Sequence, residues 1–180
     1  MEAILKEMVD HYLIDKLVRE YSHGCDRLDE VRMAAAYAKE SFDDHGRFRS
    51  SGQQFSHDVL EYQVENGVSM CSHHLGQSLV RIDGDTAGAE TYFLATLQGG
   101  GDEKPVLTHL GGRFVDELVR EDGAWKIRNR ICVRDWSSSA PILMDGLAGW
   151  NMVQGQRSGD DPSFKVLGVT HSGVPAAKAD

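Results

Sequence analysis

Two short acidic-glycine turns, Asp83-Gly84-Asp85 and Glu121-Asp122-Gly123, constrain this chain more than any other feature. Each sits between two long stretches of broadly alternating residues, 69–82 and 86–98 around the first, 109–120 and 125–136 around the second. A period of two belongs to strands that bury one face. An Asp-Gly pair supplies the positive φ that a tight hairpin needs. With Gly99-Gly100-Gly101-Asp102 as the loop between the hairpins, the spacing predicts an antiparallel four-stranded meander.

The segment before the meander has a different period. Ile4, Leu5, Met8, Tyr12, Leu13, Leu17 and Tyr21 recur at spacings of three and four, which predicts an amphipathic helix. Gly24 is its expected stop, with Asp26 just beyond it. Asp29 is placed to cap a second helix over 31–39, and Ser56 a third over 57–65, closed by Asn66-Gly67. Residues 42–48 form a short strand or turn. Helices first and a meander afterwards mean an α+β fold, with the helices packed on one face of a curved sheet. A cavity is expected between that face and the helices, a common place for a small molecule. From Ser137 onward Gly, Ser, Pro and Asp recur. Leu143, Leu147 and Trp150 are expected to form one apolar turn, and the chain beyond Gln156 to be poorly ordered or to clasp a partner.

Composition removes several classes of function. The 180 residues suit one domain. With 28 acidic against 19 basic residues the formal charge is −9, which argues against a nucleic acid or an anionic membrane as partner. The cysteines, Cys25, Cys71 and Cys132, are odd in number and form no CxxC pair, so neither a disulfide framework nor a cysteine zinc site is expected. The expected setting is reducing cytoplasm. The acidic start is no signal peptide, and no run of 18 apolar residues occurs. The triple glycine lacks the Lys-Ser/Thr of a phosphate loop, Gly-x-Ser-x-Gly is absent, and His73-His74 has no metal-ligand spacing. Neither metal nor cofactor is expected.

What remains is acid–base chemistry. His73 and His74 are neighbours on a strand, so only one faces the cavity, in register with Leu75, Gln77 and Leu79. An inward imidazole is a candidate general base, and a core or surface histidine is the plainer alternative. Asp26 is either a helix cap or the carboxylate that orients this histidine. Tyr21 is either a core aromatic or a hydroxyl donor to a substrate oxygen. Arg130 has the opposite parity to Trp125, Ile127, Ile131 and Val133, so a bulge would be needed to bring it inside. Tyr21, Phe42, Tyr62, Phe93 and Trp136 are available to line an apolar pocket.

Several pieces together resemble the SnoaL-like branch of the nuclear transport factor 2-like superfamily: Leu17 to Tyr21 leading into Cys25 to Asp29, Phe42-Asp43-Asp44-His45-Gly46, Ser72 to Gln77, Ile82 to Ala87, Gly111 to Asp116, and Asp122 to Ile127. The resemblance covers about the first 136 residues. It implies a cone-shaped α+β barrel over 1–136, with the N-terminal helices packed in a strongly curved, mixed but mostly antiparallel sheet. Residues 137–180 are then a partly ordered C-terminal extension that closes the pocket or touches a partner. Similar members, among them scytalone dehydratase, hexachlorocyclohexane dehydrochlorinase and bile-acid 7-alpha-dehydratase, use an Asp–His dyad without a cofactor. The resemblance therefore implies a lyase on a hydrophobic cyclic or aromatic substrate, with Asp26 and His73 as dyad and Tyr21 as polar partner. Arg130, His45, Gln77 and Trp136 are its substrate-binding candidates. A double-bond isomerase or cyclase and a ligand-binding or dioxygenase small-subunit-like module stay open beside the lyase. A homo-oligomer, trimer or dimer, is expected. A second catalytic histidine that scytalone dehydratase carries on its next strand has no counterpart in Ala95-Thr96-Leu97, and Gln77 replaces a common Asn.

Overall fold

The computed structural model describes residues 1–100, 104–143 and 146–173. The elements follow as α1 (Glu2–Arg27), α2 (Glu30–Ala34), β1 (Tyr37–His45), β2 (Phe48–Ser50), α3 (Gly52–Glu65), β3 (Met70–Asp83), β4 (Thr86–Gly99), β5 (Val106–Glu121), β6 (Ala124–Pro141) and α4 (Pro162–Leu167), with a 3-10 turn at Ala148–Trp150. One six-stranded sheet runs in the order β2-β1-β6-β5-β4-β3. β3 to β6 form the expected antiparallel meander, and β1 joins β6 in parallel, which makes the sheet mixed. The sheet stays open, with β2 and β3 at its edges. The apolar core lies between its inner face and the helices, centred on Ile14, Val18, Phe55, Phe114, Leu118 and Ile127.

Several local expectations change for physical reasons. α1 does not stop at Gly24 but runs on to Arg27 and closes at Leu28, whose φ of 55° is left-handed. Gly24 serves contact instead: a Cβ there would meet the Met33 backbone nitrogen at 2.7 Å, so its absence lets α2 lie against α1. Asp26 consequently sits in the last turn of α1, not beyond it. The apolar stripe of α1 also shifts. Ile4, Leu5, Met8 and Tyr12 are exposed, while Asp10, Ile14, Val18, Tyr21 and Cys25 are buried. Asp29 caps α2 as expected, accepting from the Arg32 N–H, but the helix is only Glu30–Ala34 because β1 begins at Tyr37. α3 is capped by Ser51, whereas Ser56 is buried and donates to the Gly52 carbonyl.

Bulges break the strict alternation. On β3, Leu75 pairs with Phe93 and Ser78 with Thr91, so two residues, Gly76 and Gln77, stand opposite Tyr92. Gln77 and Leu79 are therefore turned to solvent. On β6, Ile127 pairs with Leu118 and Asn129 with Glu117, which leaves Arg128 as an extra residue.

The segment after Trp136 continues the sheet to Pro141, so the strand crosses the boundary expected there. Leu143, Leu147 and Trp150 are exposed and build no apolar turn. Beyond Gln156 the chain folds back on itself. Phe164 of α4 is buried and its ring lies edge-on to His23 at 5.5 Å. Arg157 donates to the carbonyls of Cys25, Asp26 and Val68 and to Gln63 Oε1. Three backbone carbonyls, two of them in the last turn of α1, thereby accept from one guanidinium. Gly101 and Asp102 of the triple-glycine loop, and 174–180, lie outside the described residues. Among the described residues no helix is long and apolar enough to cross a membrane.

Candidate active site

α1 brings Asp26 to the inner face of β3. Its Oδ1 lies 2.6 Å from His73 Nδ1, and its Oδ2 accepts the His73 backbone N–H at 3.0 Å. One residue thus satisfies both carboxylate oxygens and fixes the ring plane. With Nδ1 engaged, Nε2 is the free nitrogen of the ring, and it has no hydrogen-bond partner among the described residues. Burial opposes the charge of Asp26, but the His73 ring and backbone outweigh it and hold the carboxyl below its ordinary value. Burial likewise opposes a charged His73, and Asp26 outweighs it, so the imidazole is raised above 6.5. The two directions agree, as they must for one hydrogen-bonded pair.

The bulge at Arg128 resets the parity of β6 and turns Arg130 inward, where it is fully buried. Strict alternation had placed it outside. Its Nε and Nη2 donate to the two Asp116 oxygens, both at 2.7 Å. The guanidinium lies 4.2 Å from the Tyr21 ring centre and 4.1 Å from that of Phe114. Burial works against this charge and Asp116 overcomes it, so Arg130 stays protonated. Its Nη1 is buried without a partner among the described residues. An unpaired buried donor is costly unless a ligand meets it. Tyr21 is buried edge-on to Phe114 and Tyr37, and burial pushes its hydroxyl well above 10.0.

His45 faces the same interior from the end of β1. Its ring stacks on Phe55 at 4.3 Å and lies 6.2 Å from Phe114, which also stands 6.3 Å from His73. Asp43 holds His45 Nδ1 and accepts the Tyr37 hydroxyl. The structure thus gathers Tyr21, Asp26, His45, His73 and Arg130 around Phe114. It does not bring the other two candidates there. Gln77 is exposed at the β3 bulge. Trp136 is 52% exposed and covers Gly111 on the outer face, where Leu94 is its neighbour across the sheet.

The matching family model is the SnoaL-like domain, over residues 6–131. The chain belongs to the SnoaL-like domain family. An uncharacterized protein of Mycobacterium tuberculosis (strain ATCC 25618 / H37Rv) is 26% identical over 132 residues, 69% of this chain and 85% of that protein. Among solved structures, a type 2 hexachlorocyclohexane dehydrochlorinase aligns over 82% of this chain and 99% of its own at 15% identity, with a TM-score of 0.68. The type 3 enzyme of Novosphingobium barchaimii LL02 covers 83% and 98% at 17% identity and a TM-score of 0.65. A protein of Novosphingobium aromaticivorans DSM 12444, provisionally named a scytalone dehydratase, covers 82% and 97% at 18% identity and 0.65. At these identities the structural likeness establishes the SnoaL-like fold.

Sequence reasoning missed three members of this interior. Asp43, Tyr37 and Asp116 carry its hydrogen bonds; Asp43 and Asp116 stood within family-like motifs without a role of their own, and Tyr37 stood outside them. A signal was present: Asp43 and His45 are two apart on a strand and so share a face, and Asp116 has the parity of Phe114 and Leu118. One further group of donors lies beside the dyad. The ligand atoms of Cys25, Cys71 and His73 fall within 4.8 Å of one another, although no CxxC motif announces them. Both thiols are buried and face one another, and this contact holds the Cys25 thiol down while it pushes the Cys71 thiol up.

Proposed function

We propose that this SnoaL-like protein is a cofactor-independent lyase acting on a hydrophobic cyclic or aromatic small molecule. The observation that carries the reading is the Asp26–His73 pair, fixed through Nδ1 and free at Nε2, inside an interior walled by Phe93 and Phe114. His73 Nε2 takes a proton from substrate carbon. The C–H electron pair becomes a double bond, and a β-leaving group departs with its own bonding pair. Asp26 stabilises the imidazolium that forms. Tyr21 and the unpaired Nη1 of Arg130 are placed to hold an oxygen that gains charge. Water is the proposed leaving group, with halide as a variant of the same elimination. Formaldehyde would leave instead by a retro-aldol step, in which His73 takes the proton of a substrate hydroxymethyl group, its C=O forms, and the C–C bond breaks with its electron pair on the remaining carbon, which then takes up a proton. The fold neighbours that are dehydrochlorinases support elimination as the reaction class.

The test is turnover of hydroxylated steroids, phenolic diols and β-halo ring compounds by wild type and His73→Ala, followed by mass spectrometry. A mass loss with wild type alone supports the lyase, and the lost mass names the leaving group. Equal turnover by His73→Ala overturns it. We also propose that a second copy of the chain covers the outer sheet face. Leu94, Val115, Ile131 and Trp136 are exposed there on adjacent strands β4, β5 and β6. A homo-oligomer in sedimentation at micromolar concentration supports this, and a monomer overturns it.

A further inference from the structure

The interior holds a second Asp–His pair built like the first. Asp43 and His45 lie two residues apart at the end of β1, so both project from one face. Asp43 is fully buried, takes the Tyr37 hydroxyl on Oδ2 and holds His45 Nδ1 with Oδ1. The His45 ring is clamped flat against Phe55, and its Nε2 has no hydrogen-bond partner among the described residues. His73 is fixed by Asp26 in the same manner, through Nδ1 and with Nε2 left over. The two rings flank one residue, Phe114, at 6.2 and 6.3 Å.

Charge distinguishes the two pairs. The sheet register sets Asp43 beside Arg130, and Arg130 beside Asp116, in one row across β1, β6 and β5. All three side chains are fully or almost fully buried. Arg130 spends two donors on Asp116, and its ion pair is with that carboxylate. Two carboxylates thus share one guanidinium, and the His45 ring is the other basic group in contact with them. Buried charge is tolerated only when it is paired in this way. At the Asp26–His73 pair no arginine side chain donates to the carboxylate among the described residues.

We propose that His45, held by Asp43 and Tyr37, is the general acid that protonates the departing oxygen while His73 removes the proton. This deepens the lyase reading and rests on it. The proton leaves carbon for His73 Nε2, the double bond forms, the bond to oxygen breaks with its electrons on oxygen, and His45 Nε2 delivers a proton there. The second-histidine role that Ala95-Thr96-Leu97 leaves vacant is filled from β1, on the other side of Phe114.

Substituted 1,2-benzisoxazoles test this without knowledge of the natural substrate. A base removes their C3 proton, the ring N–O bond breaks, a nitrile forms, and a phenolate leaves. Ring substituents tune how much that phenolate needs a proton. His45→Gln is expected to leave the 5-nitro compound within about threefold of wild type and to slow the unsubstituted one by ~10²-fold, the usual scale of general acid catalysis. The dependence of rate on leaving group therefore steepens. Asp43→Asn, which keeps an acceptor for Tyr37, is expected to steepen it less. His73→Gln lowers every member of the series alike. An equal loss across the series in His45→Gln, or no loss, overturns the acid role and leaves the base standing. Wild-type rates no higher than those of His73→Gln overturn the lyase reading itself, and the acid role with it.

Discussion

Helix α1 carries two inward aspartates, Asp10 and Asp26, roughly 24 Å apart at 1.5 Å per residue. Both reach across to the sheet, and they end differently. Asp10 is 3% exposed and accepts from Arg120, Trp125 and Lys6. Arg120 in turn lies over the Trp125 ring at 4.4 Å and also bonds Asp85. Both carboxylate oxygens and the indole N–H are occupied there, and among the described residues the cluster holds no buried polar atom without a partner. Asp26 accepts twice from one residue, and that residue keeps a nitrogen free. A saturated buried cluster fastens a helix to a sheet. An unsaturated one at the other end of the same helix is what the proposed lyase reading rests on. The difference lies in the partner residue, since the aspartates themselves are alike.

The largest expected effects fall at the unsaturated end. His73→Gln and Asp26→Asn should each lower turnover by ~10²–10⁴-fold, with the protein still folded by circular dichroism. Asp10→Asn should leave turnover unchanged at temperatures where the chain remains folded. A loss of turnover in Asp10→Asn as deep as that in Asp26→Asn would erase the contrast. Next in size is Asp116→Asn. It leaves the Arg130 guanidinium buried without its counter-charge and should cost about 3–5 kcal/mol in denaturant unfolding. Replacing Asp116 and Arg130 together by Leu and Met should recover most of that stability but not turnover. That double variant separates what the pair does for the fold from what Arg130 does for the site.

Asp10→Asn itself should cost about 1–3 kcal/mol. The cost is limited because Arg120 keeps Asp85 and stays partly exposed. Arg157→Ala should cost a similar amount, since it takes a half-buried guanidinium away from three carbonyls and Gln63. It differs in kind, because the carbonyls it releases include that of Asp26. We expect a fall in kcat with little change in KM, and recovery with Arg157→Lys that is only partial, since an ammonium cannot span four acceptors from one plane. An unchanged kcat would make the tail a brace for the fold alone.

How much of this was legible in the sequence follows the same division. The meander was readable because Asp83-Gly84-Asp85 and Glu121-Asp122-Gly123 fix register locally. The Asp10 cluster was not, since a carboxylate on α1 and an arginine 110 positions later share no local pattern. Parity placed His73 inward but failed for Gln77 and Arg130, because a bulge is one extra residue with no signature of its own. Gly24 carried two meanings, helix stop and close approach, and only the position of Met33 chooses between them. The Asp26–His73 pairing came from resemblance to a family, because residues 47 positions apart meet only in the folded chain. The fold-back of residues 157–173 was not legible in composition. Four hydrogen bonds from Arg157 and the burial of Phe164 outweigh a polar, glycine-rich segment.

The smallest effect is the one that compares the two aspartates most directly, and it is read through pH. His73 binds its proton more tightly folded than unfolded. Its pairing with Asp26 therefore stabilises fully below 6.5 and loses that contribution as pH rises through the raised folded value. Asp10 is held down at about 2 from 3.8, first by Arg120, so its contribution is present above 3.8 and lost only as pH falls toward 2. Unfolding free energies of wild type and His73→Gln should accordingly converge on the alkaline side, while wild type and Asp10→Asn stay apart there. Turnover should move the opposite way. A base works only once its proton has left, so kcat/KM of wild type should climb through the same pH at which the pair's stabilisation fades, with a midpoint above 6.5. Asp26→Asn should bring that midpoint down as well as lowering the plateau. One proton then reports both quantities. A stability gap that persists unchanged through the alkaline limb, or an activity limb that ignores Asp26→Asn, would mean that His73 and Asp26 are fastened together as firmly and as inertly as Asp10 and Arg120.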